Sequence, residues 1–217
     1  MSVDQQPGPP RSATRIDART PGFAEGATLS PQATPLALVG SKVALGPVGP
    51  GDAAHLFRWV NDATTARQDL AYRPVDWITF GAWLHAFGGD ASRVLFAIRR
   101  MPTAELIGYT SLASIDCTHR SAALSIRIGD ERHRGQGYGV DALRLLTEYA
   151  WHGLNLHRVS LTVLKENSRA IRCYRAAGFD EEGTHRDAAF INGRWQDVVA
   201  MAAIAPACGV ERRHPAS

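Results

Sequence analysis

The residues best suited to chemistry form the run from Arg132 to Gly139, Arg-His-Arg-Gly-Gln-Gly-Tyr-Gly. This run lies between a strand-like segment that ends at Ile128 and a helical apolar pattern that follows its last glycine. Glycine lets the backbone turn sharply, and a helix start offers unpaired N–H groups at the positive end of its dipole. These features predict a cradle for phosphate or pyrophosphate, to which Arg132 and Arg134 add positive charge.

Two familiar nucleotide motifs do not fit this run. A Walker loop ends in Gly-Lys-Ser/Thr, whereas Val140 follows Gly139 here. The dinucleotide fingerprint needs a third glycine three positions after the second, and Val140 occupies that place after Gly137. From the residues alone, the remaining alternative is a tight turn that binds nothing.

A second segment of interest runs from Asn167 to Phe179. A short helix is predicted from about Ser168 to Ala177, with Gly178 as the left-handed residue that ends it. Asn at the first position is a common helix N-cap. Periodicity alone also permits Tyr174 to be an ordinary core aromatic residue.

Both segments resemble signatures of the GNAT family, the Gcn5-related N-acetyltransferases. The arrangement Arg132-x-x-Gly135-x-Gly137 resembles the family's pyrophosphate signature, Gln/Arg-x-x-Gly-x-Gly/Ala. The segment from Asn167 resembles its Asn-x-x-Ala-x-x-x-Tyr-x-x-x-Gly-Phe block. The segment from Gly183 to Met201 is similar to the branch that contains the ribosomal-protein N-acetyltransferases RimJ and RimL.

The resemblance implies a fold and a co-substrate. The fold is α+β, or mixed α/β, with a central, mostly antiparallel sheet, one splayed pair of parallel strands and flanking helices. The co-substrate is acetyl-CoA, with no metal. A bulge near Ser125–Ile128 is expected to splay the strands, and a backbone amide there to stabilise the charge on the thioester oxygen. The expected co-substrate contacts are Ile126, Arg127, Ile128, Arg132, Arg134, Gly135, Gln136, Gly137, Tyr138, Gly139, Asn167, Ala170 and Tyr174.

The implied reaction is direct attack of an amine on the thioester in a ternary complex. Tyr174 is the expected acid, because a phenol of pKa about 10 can protonate a departing thiolate of pKa about 8.5. A cysteine-bound acyl intermediate is not expected, since no motif arranges a partner around a cysteine. The acceptor is a primary amine, either on a small molecule such as a polyamine or at a protein N-terminus.

The general base is not identified by the sequence. Relatives near RimJ and RimL carry a glutamate on the strand before the glycine run, where this chain has Ala123. Asp116 and His119, on the preceding turn, are candidate catalytic residues, and a water chain is another route. For each of the two, the ordinary explanation is a solvated turn residue.

Two other functions share the fold. A sensor or partner module would bind acyl-CoA without turnover, and the missing glutamate favours it. An acyltransferase of the same fold would use a different acyl thioester donor, since the space near the thioester sets donor length. The presence of Tyr174 favours a catalyst.

Composition limits the function classes. The chain has 217 residues, 45% of them hydrophobic, a net charge of +3 and a pI near 9.0, too weak a bias to predict nucleic-acid binding. Its cysteines, Cys117, Cys173 and Cys208, lack metal-ligand spacing, so free thiols in a reducing compartment are expected. No apolar run predicts a membrane span and no secretory signal is recognised, so a cytoplasmic monomer or homodimer is expected.

Three regions are predicted along the chain: a flexible Pro-rich extension (1–35), one domain (36–205) and a tail (206–217). Within the domain a first strand is expected over 36–48 and a helix capped by Asp52. Further elements are a helix from Trp77 to Phe87 and strands over 94–98, 105–115, 122–128 and 158–164. Two last strands, about 182–190 and 195–204, are joined by Asn192-Gly193, a strong hairpin signal.

Overall fold

The computed structural model describes residues 37–62 and 74–206, all within one compact unit. The predicted extension and most of the predicted tail lie outside these residues. Along the chain come β1 (Leu38–Val39), β2 (Val43–Gly46), α1 (Ala53–Val60), α2 (Trp77–Gly89), β3 (Val94–Arg100), β4 (Glu105–Asp116), β5 (Ser121–Ile128), α3 (Tyr138–Glu148), β6 (Arg158–Leu164), α4 (Ser168–Ala176), β7 (Asp180–Ile191) and β8 (Arg194–Ile204).

The strands within the described residues form an eight-stranded sheet in the order β1-β2-β3-β4-β5-β6-β8-β7. Every neighbouring pair is antiparallel except β5 and β6. These two are parallel because α3 returns the chain to the end of the sheet at which β5 begins. Helices cover both faces. Leu143 and Leu146 of α3 pack on one face, whereas Leu56 of α1 and Phe80 of α2 pack around Tyr109 on the other. This architecture confirms the predicted fold class.

The two parallel strands pair only at their beginnings. The register runs from Ser121 opposite Arg158 to Ala123 opposite Ser160, and no further pairs follow along the described strands. Beyond this point β5 stays paired with β4, while β6 stays paired with β8 along its whole length. The strands separate because each keeps its other neighbour, and a cleft opens between them.

The predicted bulge at Ser125–Ile128 is not where the irregularity lies. Pairing of β4 with β5 is regular from Gly108 opposite Ile128 to Ala113 opposite Ala123. The register shifts at the far end, where Ser114 takes a positive φ of 52° and one extra residue enters β4. The expectation was wrong because the splay needs no bulge beside the cleft.

The predicted first strand is instead a short hairpin of β1 and β2. The chain turns where Gly40 N donates to Val43 O at 2.8 Å. The Asp141 carboxylate on α3 stabilises this turn by accepting hydrogen bonds from Lys42 N at 2.7 Å and Val43 N at 2.9 Å. A Cβ on Gly40 would lie 2.7 Å from that carboxylate, so a residue without one is required there.

Asp52 stands before α1 as predicted, but its side chain does not cap the helix. The carboxylate accepts hydrogen bonds from Gly49 N at 2.7 Å and from Arg99 Nη2 at 2.6 Å. The Asp52 and Arg99 side chains are 10% and 9% exposed. The expected cap is therefore replaced by a buried ion pair that joins α1 to β3.

Other local predictions are confirmed. The helix predicted from Trp77 is present as α2, and Asp76 caps it by accepting from Ile78 N and Thr79 N at 2.8 and 2.9 Å. Gly178 ends α4 with a φ of 96°. Asn192 and Gly193 both take positive φ values, 52° and 76°, the backbone of a type I′ hairpin turn.

Candidate active site

A cleft of about 500 Å³ lies where β5 and β6 separate, and it is bounded by the glycine loop (residues 132–139) and by α4. Its lining is Leu124, Ser125, Ile126, Arg127, Ile128, His133, Arg134, Gly135, Gly137, Gly139, Val140, Thr162, Val163, Leu164, Asn167, Arg169, Ala170, Arg172, Cys173 and Tyr174. The two sequence segments singled out for chemistry therefore meet on opposite sides of one groove.

The glycine loop turns through two left-handed residues. Gly135 has a φ of 75° and Gly137 a φ of 84°, conformations that residues with a Cβ rarely adopt. Gly137 occupies the N-cap position of α3, so the first amides of that helix face the loop without partners inside the helix. From outside, Lys42 Nζ donates to Gln136 O at 2.9 Å. The loop thus presents backbone donors at the positive end of a helix dipole.

The charge lining the cleft has one sign. Arg127, Arg134, Arg169 and Arg172 line it, whereas no aspartate or glutamate does so within the described residues. Arg134 is oriented by backbone carbonyls at the end of β5, since its Nε donates to Ile128 O at 3.2 Å and its Nη2 to Gly129 O at 2.7 Å. Burial, and next the charge of Arg169, lowers the pKa of Arg134. An anion bound here would relieve that repulsion.

Asn167 and Ala170 lie at the start of α4. Asn167 Oδ1 accepts from Ala170 N at 3.1 Å, which is the capping role predicted for this residue. Both residues also line the cleft. Because only the amide oxygen is used for capping, the amide NH₂ group can still donate to a ligand.

Tyr174 lies one helical turn further along α4 and lines the cleft. Its ring packs edge-on against Phe179, with ring centroids 6.0 Å apart. Burial, with a smaller contribution from Cys173, raises the pKa of Tyr174 to about 12. The hydroxyl is therefore protonated at neutral pH and can act as a proton donor.

Three residues expected to contact the co-substrate do not line the cleft. Arg132 points outward and donates from Nη2 to Glu105 Oε1 at 2.9 Å. The Gln136 side-chain amide turns back to donate to the carbonyl of Arg132. Tyr138 packs edge-on against His133. These side chains stabilise the loop from outside, although their backbone belongs to it.

Asp116 and His119 lie at the opposite end of β5 from the loop. Asp116 pairs with Ser121, where β5 and β6 are still joined, and neither candidate lines the cleft. Asp116 accepts from Thr118 N and His119 N, both at 2.8 Å, and from the His119 ring at 3.0 Å. The hydrogen bond from the His119 amide lowers the pKa of Asp116, which makes it a weaker base. This geometry does not support a catalytic role for either residue.

The strand position where a glutamate was expected holds Ala123, paired with Ser160 on β6. One step into the cleft, Ser125 Oγ lies 2.7 Å from the buried Ser111 Oγ, and Thr162 lies on the facing strand. These hydroxyls can orient an amine or a water molecule, but none is a base at neutral pH.

Sequence reasoning did not select several lining residues, chiefly Arg169, Arg172, Thr162 and His133. The two arginines flank Ala170 and Cys173 on α4, so the helical repeat of that face is the signal that could have found them. Thr162 carries no such signal, because its exposure depends on where β6 leaves β5.

Within residues 37–62 and 74–206, no group of three or more His, Cys, Asp or Glu side chains is arranged to hold a metal ion. Over the same part of the chain, no helix combines the length and apolar character needed to cross a bilayer.

Comparison with known proteins identifies a protein family that this chain matches. The model of the acetyltransferase (GNAT) domain matches residues 42–180. Spermidine N(1)-acetyltransferase of Vibrio cholerae is 42% identical over 96 residues, 44% of this chain and 55% of that protein. The putative ribosomal N-acetyltransferase YdaF of Bacillus subtilis is 34% identical over 94 residues, 43% of this chain and 51% of that protein. The aligned part spans about half the length of these curated relatives.

A solved structure extends the likeness. Spermidine N-acetyltransferase from Vibrio cholerae, in complex with CoA and spermine, superposes with a TM-score of 0.68 and 29% identity. The match covers 75% of this chain and 95% of that one. The similarity to spermidine acetyltransferases is thus at least as strong as that to the ribosomal relative, and the RimJ/RimL branch stays a prediction.

Proposed function

The chain belongs to the GNAT acetyltransferase family, and on that premise we propose that it transfers an acetyl group from acetyl-CoA to a primary amine. One observation carries the proposal. The cleft between the separated parallel strands joins a glycine loop, four arginines and a protonated phenol, and no carboxylate lines it within the described chain.

The residues fit acetyl-CoA. The amides of the glycine loop and the start of α3, with Arg134 beside them, suit its pyrophosphate. The backbone of β5 beyond Ala123 lacks its parallel neighbour and can pair with the amide groups of the pantetheine arm. The side-chain amide of Asn167 can donate to the same arm. When bound, acetyl-CoA supplies an acyl thioester.

Three groups of the chain then act on the reaction. A backbone amide of β5 donates to the carbonyl oxygen as negative charge develops on it. The Tyr174 hydroxyl donates its proton to the departing sulfur. Since no carboxylate lines the cleft in the described residues, water held by hydroxyls such as Ser125 and Thr162 takes the proton of the amine.

For the acceptor we propose a small-molecule primary amine, with polyamines first among those to test. Support comes from relatives that act on spermidine, in Vibrio cholerae and in Escherichia coli, the latter 37% identical over 97 residues. A protein N-terminus, as the RimJ/RimL branch would imply, is the alternative acceptor. The free thiols of Cys117 and Cys173 fit a reducing compartment such as the cytoplasm.

One observation favours a second candidate, a module that binds acyl-CoA without turnover. The cleft offers no carboxylate base among its described lining residues, and a sensor needs none. A module without turnover has no use for the Tyr174 acid, so we rank this function second.

The test follows thiol release from acetyl-CoA in the presence of spermidine, spermine, an aminoglycoside or a short peptide with a free N-terminus. We expect release that saturates with one class of amine. Binding of acetyl-CoA in calorimetry without release by any amine would support the sensor module or a different acyl donor. Absence of both binding and release would overturn the proposal.

A further inference from the structure

The Glu105 carboxylate lies against the outer side of the glycine loop, 2.9 Å from Arg132 Nη2, whereas the Asp130 carboxylate lies farther from the same atom, at 3.8 Å. Glu105 begins β4, and its strand joins the end of β5 through Gly129 N, which donates to Ile107 O at 2.9 Å. It is itself fixed by an ion pair with Arg100 on the neighbouring strand, at 2.8 Å. Glu105 is thus held by the sheet, at the point where the chain leaves β5 for the loop.

Glu105 contacts the first two residues of the loop. Arg132 Nη2 lies 2.9 Å from Glu105 Oε1, and its side chain is 68% exposed on the side away from the cleft. His133 Nε2 lies 3.4 Å from the same oxygen without a hydrogen bond to it, and Nε2 has no hydrogen bond among the described residues. The His133 ring is buried, and it packs on Tyr138, the first residue of α3.

The negative charge of Glu105 is the opposite of what an anion-binding loop needs. A carboxylate beside an anion-binding loop weakens anion binding through space, because it offsets the charges of Arg132 and Arg100. Its benefit to binding must therefore be geometric. The ion pair with Glu105 fixes the position of Arg132, and the His133 ring packs on Tyr138 of α3. Together these contacts set the orientation in which the chain enters Gly135 and Gly137.

We infer that Glu105 is a positioning residue of the glycine loop: it orients the loop amides toward the anionic part of the co-substrate through Arg132 and His133. The inference rests on the proposed function, since the anion concerned is the pyrophosphate of acetyl-CoA. It also assigns Arg132 a role as the outer anchor of the loop, with no contact to phosphate.

The experiment replaces the carboxylate with its neutral isostere, Glu105→Gln, and measures the acetyl-CoA Kd by calorimetry. Charge alone would make the variant bind more tightly. Positioning predicts binding weaker by about fivefold, equivalent to about 1 kcal/mol. In steady state the KM for acetyl-CoA should rise while kcat stays within about twofold, because the reacting groups are untouched.

The matched control is Glu182→Gln. Glu182 forms a solvent-exposed ion pair with both terminal guanidinium nitrogens of Arg158, away from the cleft. Its Kd for acetyl-CoA should equal that of the wild type. A second variant, Arg132→Met, should weaken binding as Glu105→Gln does, and the double variant should be no weaker than either single one, because both remove the same contact.

The outcomes separate the two proposals. If the wild type fails to bind acetyl-CoA, the proposed function falls and this inference falls with it. If the wild type binds but Glu105→Gln binds equally or more tightly, only the positioning role is overturned. Additive losses in the double variant would also overturn it, because Arg132 would then act independently of Glu105.

Discussion

At the scale of single residues, the surroundings of Tyr174 decide what it can do. The phenol lies half-buried on α4 beside Cys173, and burial raises its pKa to about 12. A raised pKa means that the folded chain holds the proton throughout the neutral range. The residue is therefore available as a proton donor and not as a base for the amine, and the same burial makes it a weaker acid than a free phenol.

Replacing Tyr174 with Phe should lower kcat by roughly 10²-fold, the usual contribution of a positioned acid. The Kd for acetyl-CoA should change little, because the ring and its packing on Phe179 are kept. Stopped-flow or steady-state thiol release measures the first, and calorimetry the second. Tyr149→Phe is the control, since Tyr149 packs in the core against Phe96. An unchanged kcat in Tyr174→Phe would mean that water protonates the thiolate.

The cleft also predicts the pH dependence. With no carboxylate in its described lining, kcat/KM should rise with pH as the free amine form of the acceptor increases. Tyr174, with a pKa raised to about 12, should cause no decline below about pH 11. The measurement compares two acceptors whose own amine pKa values differ. An inflection that stays at one pH for both would instead indicate a base on the protein.

At the scale of elements, the glycine loop and its helix form the part that the sequence predicts best. The positive φ values of Gly135, Gly137 and Gly178 follow from glycine at loop and helix ends, a local signal. The hairpin turn at Asn192 and Gly193 is equally local. These elements could be assigned because their determining residues are neighbours in the chain.

The features that the sequence missed depend on distant partners. The break between β1 and β2 is made by Asp141, on a helix far along the chain. The Asp52 carboxylate binds Arg99 on β3 and therefore does not cap α1. Asp116 and His119 are candidates from the sequence because they precede β5, but the end of β5 near them stays paired with β6, and the far end opens. No local pattern records where two strands part.

Within the loop, Gly135→Ala should weaken acetyl-CoA binding at least tenfold, because a side chain at a φ of 75° forces the loop amides to reorient. The free energy of unfolding should fall by about 1 kcal/mol. Gly193→Ala is a matched control, since its φ is 76° and it also has open space around it, at the tip of the hairpin. Equal acetyl-CoA affinity of the wild type and Gly135→Ala would show that the loop is not part of the binding site.

At the scale of the whole molecule, two helical layers enclose the sheet and are joined to it differently. On one face α3 and α4 carry the cleft, packed through a large aliphatic core. On the other face α1 and α2 pack through aromatic residues, and the buried Asp52–Arg99 pair joins the start of α1 to β3. The buried Asp52–Arg99 pair therefore lies in the layer that does not contain the helices of the cleft.

Replacing Asp52 with Ala should lower the free energy of unfolding by about 3 kcal/mol, because it leaves the charge of Arg99 buried without this partner. Urea denaturation measures the loss, and the acetyl-CoA Kd should stay unchanged. Asp90→Ala, which removes the exposed pair with Arg93 at 3.1 Å and two hydrogen bonds from Ser92, should cost much less than Asp52→Ala. A comparable cost for both variants would show that burial of the first pair has no special effect.

The gap between β5 and β6 also affects how the product competes with the substrate. An arm that carries amide groups can fill it as an added strand, so the complex has the complete sheet that the free chain lacks. That arm is identical before and after the acetyl group has left. The backbone therefore holds coenzyme A and acetyl-CoA with similar strength, and we expect free coenzyme A to inhibit the reaction by competing with acetyl-CoA.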